Sequence, residues 1–146
     1  MNRNRNAFTL IEVLIVVVIM AVLAATVVPQ FTDSTADAKN NTALFNLNTL
    51  RSQIELYKAQ HDGNHPTTLN LLTVATNIDQ TTTGSPSLGP YLQAVPENTA
   101  NGTNAVKVIS TSPAVSGDVT ADNAGGWLYS SLDGRVWLDH DTLFAE

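Results

Sequence analysis

The hydrophobic and polar positions divide this chain into one apolar run and a longer polar remainder. The run covers residues 8–28, reads FTLIEVLIVVVIMAVLAATVV, and contains a single charge, Glu12. As an α-helix it would extend about 31 Å, close to the thickness of the hydrocarbon core of a bilayer. The pattern therefore predicts a membrane-spanning helix over residues 8–28.

Beyond the apolar run, the pattern becomes that of an amphipathic helix. Positions spaced alternately three and four residues apart fall on one helical face, namely Leu47, Leu50, Ile54, Tyr57 and His61. Pro29 lies between the two helical patterns, so we expect it to kink a continuous helix rather than end it. Gly63 and Pro66 mark the stop of this second half, which the pattern assigns to residues 29–62.

Residues 63–146 show the short patterns of a small α+β domain. Thr67 and Thr68 precede several leucines, which predicts a short capped helix. Residues 105–111 alternate weakly and predict one strand. Residues 127–131 and 135–139 predict a hairpin with Asp133-Gly134 at its turn.

The fold class predicted from these patterns is α+β, with a long N-terminal helix packed against a small antiparallel sheet. The amphipathic helical face needs a partner surface, and the hairpin offers alternating apolar side chains at Trp127, Tyr129, Val136 and Leu138. We expect these side chains to cover the face formed by Leu47 through Tyr57.

Charge and composition narrow the classes of function. The chain of 146 residues contains no cysteine and has a formal net charge of −6. Disulfide frameworks, thiolate metal sites and catalytic thiols are therefore excluded, and there is no basic footprint for nucleic acid. Arg3 and Arg5 precede the apolar run, so the positive-inside rule predicts a cytoplasmic N-terminus and a translocated remainder.

The apolar run has three interpretations, and Glu12 separates them. A secretory signal peptide has an apolar region of about 7–15 residues before a small-residue cleavage site; this run is longer and carries a carboxylate. A plain membrane anchor leaves Glu12 unexplained, since an acid inside a spanning segment is costly and usually functional. In the third interpretation the chain is trimmed immediately before Phe8.

Trimming between Ala7 and Phe8 would give Glu12 a partner. The new amine would lie on Phe8, four residues before Glu12, and both groups would sit inside the membrane at the start of a helix. Each group is unfavourable alone in hydrocarbon, and pairing offsets that cost. The pair would form within one chain or between neighbouring chains. In the simpler alternative, Glu12 reaches the lipid headgroups by itself.

The N-terminal residues resemble those of type IV pilins and type II secretion pseudopilins. The matches are the basic leader, the run Phe8-Thr9-Leu10-Ile11-Glu12, and Pro29 at its usual distance beyond the cut. Ala7 stands where that family favours glycine. The resemblance implies that a prepilin peptidase removes residues 1–7 and methylates the new N-terminus at Phe8, and that Phe8, Glu12 and Pro29 act in assembly.

Two later stretches are similar to the major pseudopilin of type II secretion. The stretch LRSQIELYKAQHDGNHPTT resembles that subunit's helix end and turn, with His65 where tyrosine is usual. Gly89-Pro90-Tyr91-Leu92 is similar to its Gly-Pro-Tyr-Leu connection, whereas residues 97–102 replace the Asp-Pro-Trp-Gly run that follows there. The resemblance is thus strongest at the N-terminus and weakens towards the C-terminus.

This resemblance implies a structural role in a filament. The subunit would form a homopolymer with other pseudopilins, assembled by an inner-membrane platform with its ATPase. Its precursor would cross the inner membrane once, with the C-terminal domain in the periplasm. A type IV pilin and a DNA-uptake pseudopilin remain alternatives, as does a membrane-anchored binding module. No catalytic constellation stands out, so the chain is not expected to be an enzyme.

The resemblance also implies a calcium site near the C-terminus, because the major pseudopilins bind calcium there. Calcium takes six to eight oxygen ligands from carboxylates and carbonyls. The candidate ligands are the aspartates of the last third of the chain, Asp118, Asp122, Asp133, Asp139 and Asp141. In the alternative interpretation these aspartates are loop and turn residues. The histidines His61, His65 and His140 share no metal-ligand spacing.

Overall fold

The computed structural model describes residues 8–144. Helix α1 (Leu10–Gln60) comes first, and three strands follow, β1 (Val106–Ile109), β2 (Trp127–Ser130) and β3 (Val136–Leu138). Short 3-10 helices cover Leu69–Thr73, Ser116–Asp118 and Ala121–Asn123. The chain divides into two compact units, one ending at Ala38 and the other starting at Lys39. The α+β fold class expected from the sequence is confirmed.

The first unit carries the apolar half of α1. Its segment Leu10–Val28 has a mean hydropathy of 3.0 and is long and apolar enough to cross a membrane. None of that segment is buried by other parts of the protein. The helix continues through position 29 without a break, as expected for a continuous helix. The kink expected at Pro29 stays a prediction.

The second unit buries the predicted face of α1. Leu47, Leu50, Ile54, Tyr57 and His61 are each at most 3% exposed. The apolar members of this set form one core with Trp127, Tyr129, Val136 and Leu138, so the predicted covering surface is confirmed. Burying this many aliphatic and aromatic side chains is the main stabilising contribution to the domain.

Helix α1 ends as its sequence predicts. Gly63 has a positive φ of 84°, and its N–H bonds the Lys58 carbonyl at 2.9 Å. This is the pattern of a Schellman cap, in which a left-handed residue satisfies a carbonyl of the last turn. Asp62, at φ 54°, shares the left-handed region.

The three-stranded sheet is mixed, which corrects the expectation of an antiparallel sheet. Strand β2 lies in the centre; it pairs antiparallel with β3 and parallel with β1. A parallel pair needs a crossover connection of about a dozen residues or more. The segment 110–126, with its two 3-10 helices, supplies that length between β1 and β2.

The predicted hairpin is present, with Gly134 in its connection. Gly134 has φ 74°, and a Cβ at this position would lie 2.6 Å from the Cβ of His65. Both the backbone conformation and the close approach therefore require glycine. The short helix after Pro66 is also present, but it is a 3-10 helix, and the Thr68 side chain makes no capping hydrogen bond.

We predict that Tyr129→Phe destabilises the domain by about 1–3 kcal/mol, because the buried Tyr129 hydroxyl donates to the Pro66 carbonyl, which would lose its partner. Tyr91→Phe is the matched control. It removes a hydrogen bond to Gln60 Oε1 at 2.8 Å in an exposed setting, and we expect a change within about 0.5 kcal/mol. Urea unfolding of the chain in detergent would measure both. Equal losses of stability in the two variants would contradict a stabilising role for the buried Tyr129 hydrogen bond.

Candidate functional site

Helix α1 begins with a reciprocal capping arrangement between Thr9 and Glu12. The Thr9 N–H and hydroxyl each donate to the same Glu12 carboxylate oxygen at 2.8 Å, and the Glu12 N–H donates to the Thr9 hydroxyl at 3.3 Å. Thr9 is thus the N-cap and Glu12 the third helical residue of a capping box. Two backbone N–H groups of the first turn, which have no helical partner, are satisfied in this way.

The capping box provides Glu12 with hydrogen bonds but with no opposite charge. Its donors are a hydroxyl and a backbone N–H of Thr9, both neutral. The positive end of the helix dipole adds a modest favourable contribution at this position. A carboxylate in this position is therefore held and oriented, yet it remains available to a cation.

The other residues predicted for processing and assembly are described only in part. Phe8 is 84% exposed, at the start of the apolar segment. Ala7 lies outside the described residues, as does the leader 1–7. Position 29 is helical. The cleavage site and the pairing of Glu12 with a Phe8 amine both stay predictions.

The sequence analysis missed Thr9 as a functional residue. Its signal was present, since Thr9-Leu10-Ile11-Glu12 has the Thr-x-x-Glu spacing of a capping box immediately before an apolar run.

Asp118 serves as an acceptor in the crossover between β1 and β2. The Val115 N–H and the Thr111 hydroxyl donate to one of its carboxylate oxygens at 2.9 and 2.7 Å. These hydrogen bonds, with the nearby Lys107, hold the pKa of the Asp118 carboxyl below its ordinary value. The Lys107 ammonium group also donates to the Asp118 main-chain carbonyl at 2.5 Å.

Asp133 serves the hairpin connection. Partial burial favours its neutral form, but donors from Ser112 and from the Arg135 N–H outweigh burial and lower the pKa of Asp133. Its carboxylate also lies 3.4 Å from the Arg135 side chain. Asp133 thereby ties the hairpin to residue 112 of the crossover.

Asp139 is fully buried and joins three loops. Its two carboxylate oxygens accept from the Thr120 N–H at 2.7 Å and the Thr120 hydroxyl at 2.5 Å. The Asn101 amide donates to the carbonyls of Asp139 and Gly125. A Cβ on Gly125 would lie 1.6 Å from an Asp139 carboxylate oxygen, so glycine is required there.

Asp122 and Asp141 lie together at one exposed corner, with Asn123 between them. The Asp141 N–H donates to the Asn123 side-chain oxygen at 2.8 Å, and all three residues line the same shallow cavity. Asp122 has φ 59°, in the left-handed region that aspartate tolerates. We call Asp122, Asn123 and Asp141 the acidic corner.

The five aspartates do not form a common metal site. Within residues 8–144, no three Asp, Glu, His or Cys side chains are close enough together to hold an ion. Asp118, Asp133 and Asp139 already accept hydrogen bonds from protein donors. Asp122 and Asp141, the two at the acidic corner, line one cavity. Calcium binding stays a prediction.

His61 has a core role. Its Nδ1 lies 2.8 Å from the Tyr57 carbonyl and its Nε2 lies 2.9 Å from the Thr76 hydroxyl. A carbonyl only accepts, so Nδ1 carries the hydrogen and Nε2 of the neutral ring accepts from Thr76. The ring stacks on Tyr57 at a centroid distance of 3.7 Å. These contacts leave no metal-binding nitrogen on His61.

A family profile described as the prokaryotic N-terminal methylation motif matches residues 2–28. The match contains the capping box and the whole apolar run. The chain therefore carries the N-methylation prepilin motif at the place where the sequence predicts cleavage, methylation and membrane insertion.

Three curated proteins similar to this chain share the name type II secretion system core protein G. The protein from Dickeya chrysanthemi is 37% identical over 68 residues, covering 47% of this chain and 44% of the relative. Those from Pseudomonas aeruginosa and Aeromonas hydrophila are 39% and 33% identical, over 38% and 45% of this chain and 39% and 46% of the relatives. The matched segments thus span less than half of each relative. No solved structure matches the chain.

A melting experiment tests the calcium prediction. A ligand that binds the folded state raises its melting temperature. If calcium binds, the chain in detergent should melt at a higher temperature in millimolar calcium than in a chelator, and Asp122→Asn should reduce the difference. Superimposable curves in calcium and in chelator would contradict the prediction.

Proposed function

We propose that this chain is a structural subunit of a filament, the pseudopilus of a type II protein secretion system. One observation carries the proposal: the N-methylation motif over residues 2–28 coincides with an exposed apolar helix whose acid lies in the first turn. Similarity to the secretion proteins selects this system over a type IV pilus and over a DNA-uptake filament.

Processing by a prepilin peptidase is the first step of the proposal. The peptidase would cut between Ala7 and Phe8 and methylate the new amine on Phe8. Support comes from the matched motif and from the exposure of Phe8 at the start of the apolar segment. The amine so created lies next to Thr9 in the chain, and therefore at the capping box.

Before assembly, the bilayer would hold the apolar half of α1. The segment Leu10–Val28 has no protein cover in this chain and has the length of a membrane span. By the positive-inside rule, Arg3 and Arg5 support a cytoplasmic N-terminus, and residues 39–146 would then lie in the periplasm. In the filament, other subunits would replace the lipid around this helix.

Glu12 would select the partner during assembly. In the single chain its carboxylate accepts neutral hydrogen bonds from Thr9. The methylated amine of a neighbouring subunit would add the compensating positive charge, which is worth most in a dehydrated setting. That contact would fix the axial stagger between subunits. The partners are further copies of this chain, other pseudopilins, and an inner-membrane platform with its ATPase.

The proposed role is structural rather than catalytic. Within residues 8–144, the buried polar side chains Asn98, Asp139 and His61 are held by hydrogen bonds within the domain. A membrane-anchored binding module would share the same anchor. Unlike a filament subunit, it would not require the acid at position 12.

We predict that the mature protein begins at Phe8 and carries one extra methyl group. Cells that contain the prepilin peptidase should yield this species, and cells that lack it should yield the precursor with residues 1–7. The intact mass of the purified protein, with sequencing of its first residues, measures this. A protein that keeps its leader in the presence of the peptidase would contradict the proposal.

We predict that Glu12→Ala abolishes or disorders filaments, while the precursor still inserts in the membrane. Glu12→Gln is the informative companion variant, because glutamine keeps the capping box with Thr9 but removes the charge. If charge pairing orders the filament, both variants fail; if capping alone matters, Glu12→Gln assembles. Electron microscopy of sheared filaments and membrane fractionation give the two readouts. Normal filaments from Glu12→Ala would contradict the pairing of Glu12 with an amine, whereas a wild-type chain that stays a monomer would favour the binding module.

A further inference from the structure

A groove of about 580 Å³ lies between helix α1 and the β2–β3 hairpin in the second unit. Helix α1 contributes Arg51, Glu55 and Lys58, which are spaced four and three residues apart and so share one face. The hairpin contributes Asp133, Arg135 and Trp137. We call this feature the basic groove. Ile54, which is buried, lies beneath it.

The groove concentrates positive charge in an acidic protein. It holds three of the chain's seven Lys and Arg residues, although the whole chain has a formal net charge of −6. Two acids line it as well, so its own balance is positive. Its ion pairs are long and exposed: Lys58 lies 4.0 Å from Glu55, and Arg135 lies 3.4 Å from Asp133 with 65% of the arginine side chain exposed.

Ion pairs of this kind contribute little, because solvent screens them. Lys58 and Arg135 can therefore take a further carboxylate at little cost. The Arg51 guanidinium donates to the Val136 carbonyl at 3.3 Å, which fixes that side chain on the wall between helix and hairpin. Trp137, only 8% exposed, gives the groove a rigid aromatic side.

The acidic corner has the opposite character. Asp122 and Asp141 are the charged residues that line its cavity of about 390 Å³, and no Lys or Arg is among its described lining residues. Asp122 is exposed, and the Asp141 side chain is 65% exposed. The neighbouring cationic candidate is His140, whose Nδ1 lies 3.1 Å from an Asp141 carboxylate oxygen.

We propose that the basic groove of one copy of this chain binds the acidic corner of the next copy. The two surfaces share no lining residue, so each copy uses one surface for the copy before it and the other for the copy after it. Such a heterologous contact, when its rotation does not close a ring, generates an open helical polymer. The inference rests on the proposed filament function and adds a second contact, between domains, to the contact at Glu12.

Charge complementarity selects a second copy as the occupant. An arginine fork and an ammonium group suit a carboxylate pair, and Asp122 and Asp141 present such a pair in a cavity whose described lining contains no Lys or Arg. Complementary potentials set register and suppress wrong contacts. A contact of basic groove with basic groove would be unfavourable.

Cross-linking gives the direct test, because the chain has no cysteine of its own. Arg135→Cys and Asp122→Cys in one chain, treated with a short bis-maleimide on assembled filaments, should give a ladder of dimers and higher multimers. The bis-maleimide is long enough to bridge the gap left by the two side chains that the cysteines replace. Arg135→Cys with Thr68→Cys is the matched control; Thr68 is exposed and makes no capping hydrogen bond. A chelator is present, so that calcium does not compete at the corner.

Charge reversal gives the second test. Lys58→Glu with Arg135→Glu should lower filament yield by about tenfold or more, since like charges would then face each other. Asp141→Lys added to that variant should restore most of the yield. The melting temperature of the detergent-solubilised chain shows whether the charge-reversed variant is folded. If that variant does not fold, the cross-linking experiment alone tests the interface.

The possible outcomes distinguish failure of this interface from failure of the proposed filament function. If the wild-type chain forms filaments, either of two results overturns the interface alone. One is normal filaments from the charge-reversed variant, and the other is an Arg135–Asp122 ladder no stronger than that of the control. A wild-type chain that is processed and forms no filament overturns both.

Discussion

The structure depends on a carboxylate in the first turn of the apolar half of α1. Hydrocarbon gives such a group neither water nor counter-ion, so the chain must supply hydrogen bonds or another charge. Thr9 supplies the hydrogen bonds, with two donors to one oxygen of Glu12. Within residues 8–144 the structure gives Glu12 no ion pair, and the proposed amine of a neighbouring subunit would provide the positive charge.

The second unit meets a different requirement, since the half of α1 that it contains must be covered to be stable in water. Leu47, Leu50 and Tyr57 are covered by the central and edge strands through Trp127, Tyr129 and Leu138. The loops around the sheet are fastened by polar ties rather than by disulfides. Asp139 on Thr120, Asn101 on two carbonyls, and Asn98 on Gly126 hold these loops together.

The sequence predicted those features that depend on period and on local turn chemistry. The helical face from Leu47 to His61, the glycine-capped helix end and the hairpin with Asp133-Gly134 are all present. The direction of β1 was wrong, because a four-residue strand has the same alternation whether its neighbour runs parallel or antiparallel. Its direction follows from the path of the crossover, in which Thr120 donates to Asp139, a residue 19 positions further along the chain. The resemblance to the major pseudopilins implied a calcium site with five aspartates as candidate ligands. In the structure three of them accept hydrogen bonds from protein donors, and calcium binding stays a prediction.

The two charge features act at different stages if the proposed function holds. Glu12 is capped by Thr9 within its own chain. If a cation of another subunit took the place of Thr9, only hydrogen bonds to neutral donors would be lost. The basic groove and the acidic corner lie in water, where Coulomb attraction is weaker and salt-dependent. Contacts of the second kind orient and select subunits as they meet, whereas a dehydrated ion pair holds them once docked. A growing filament would benefit from this division, because the weaker contact gives register without making every subunit addition irreversible.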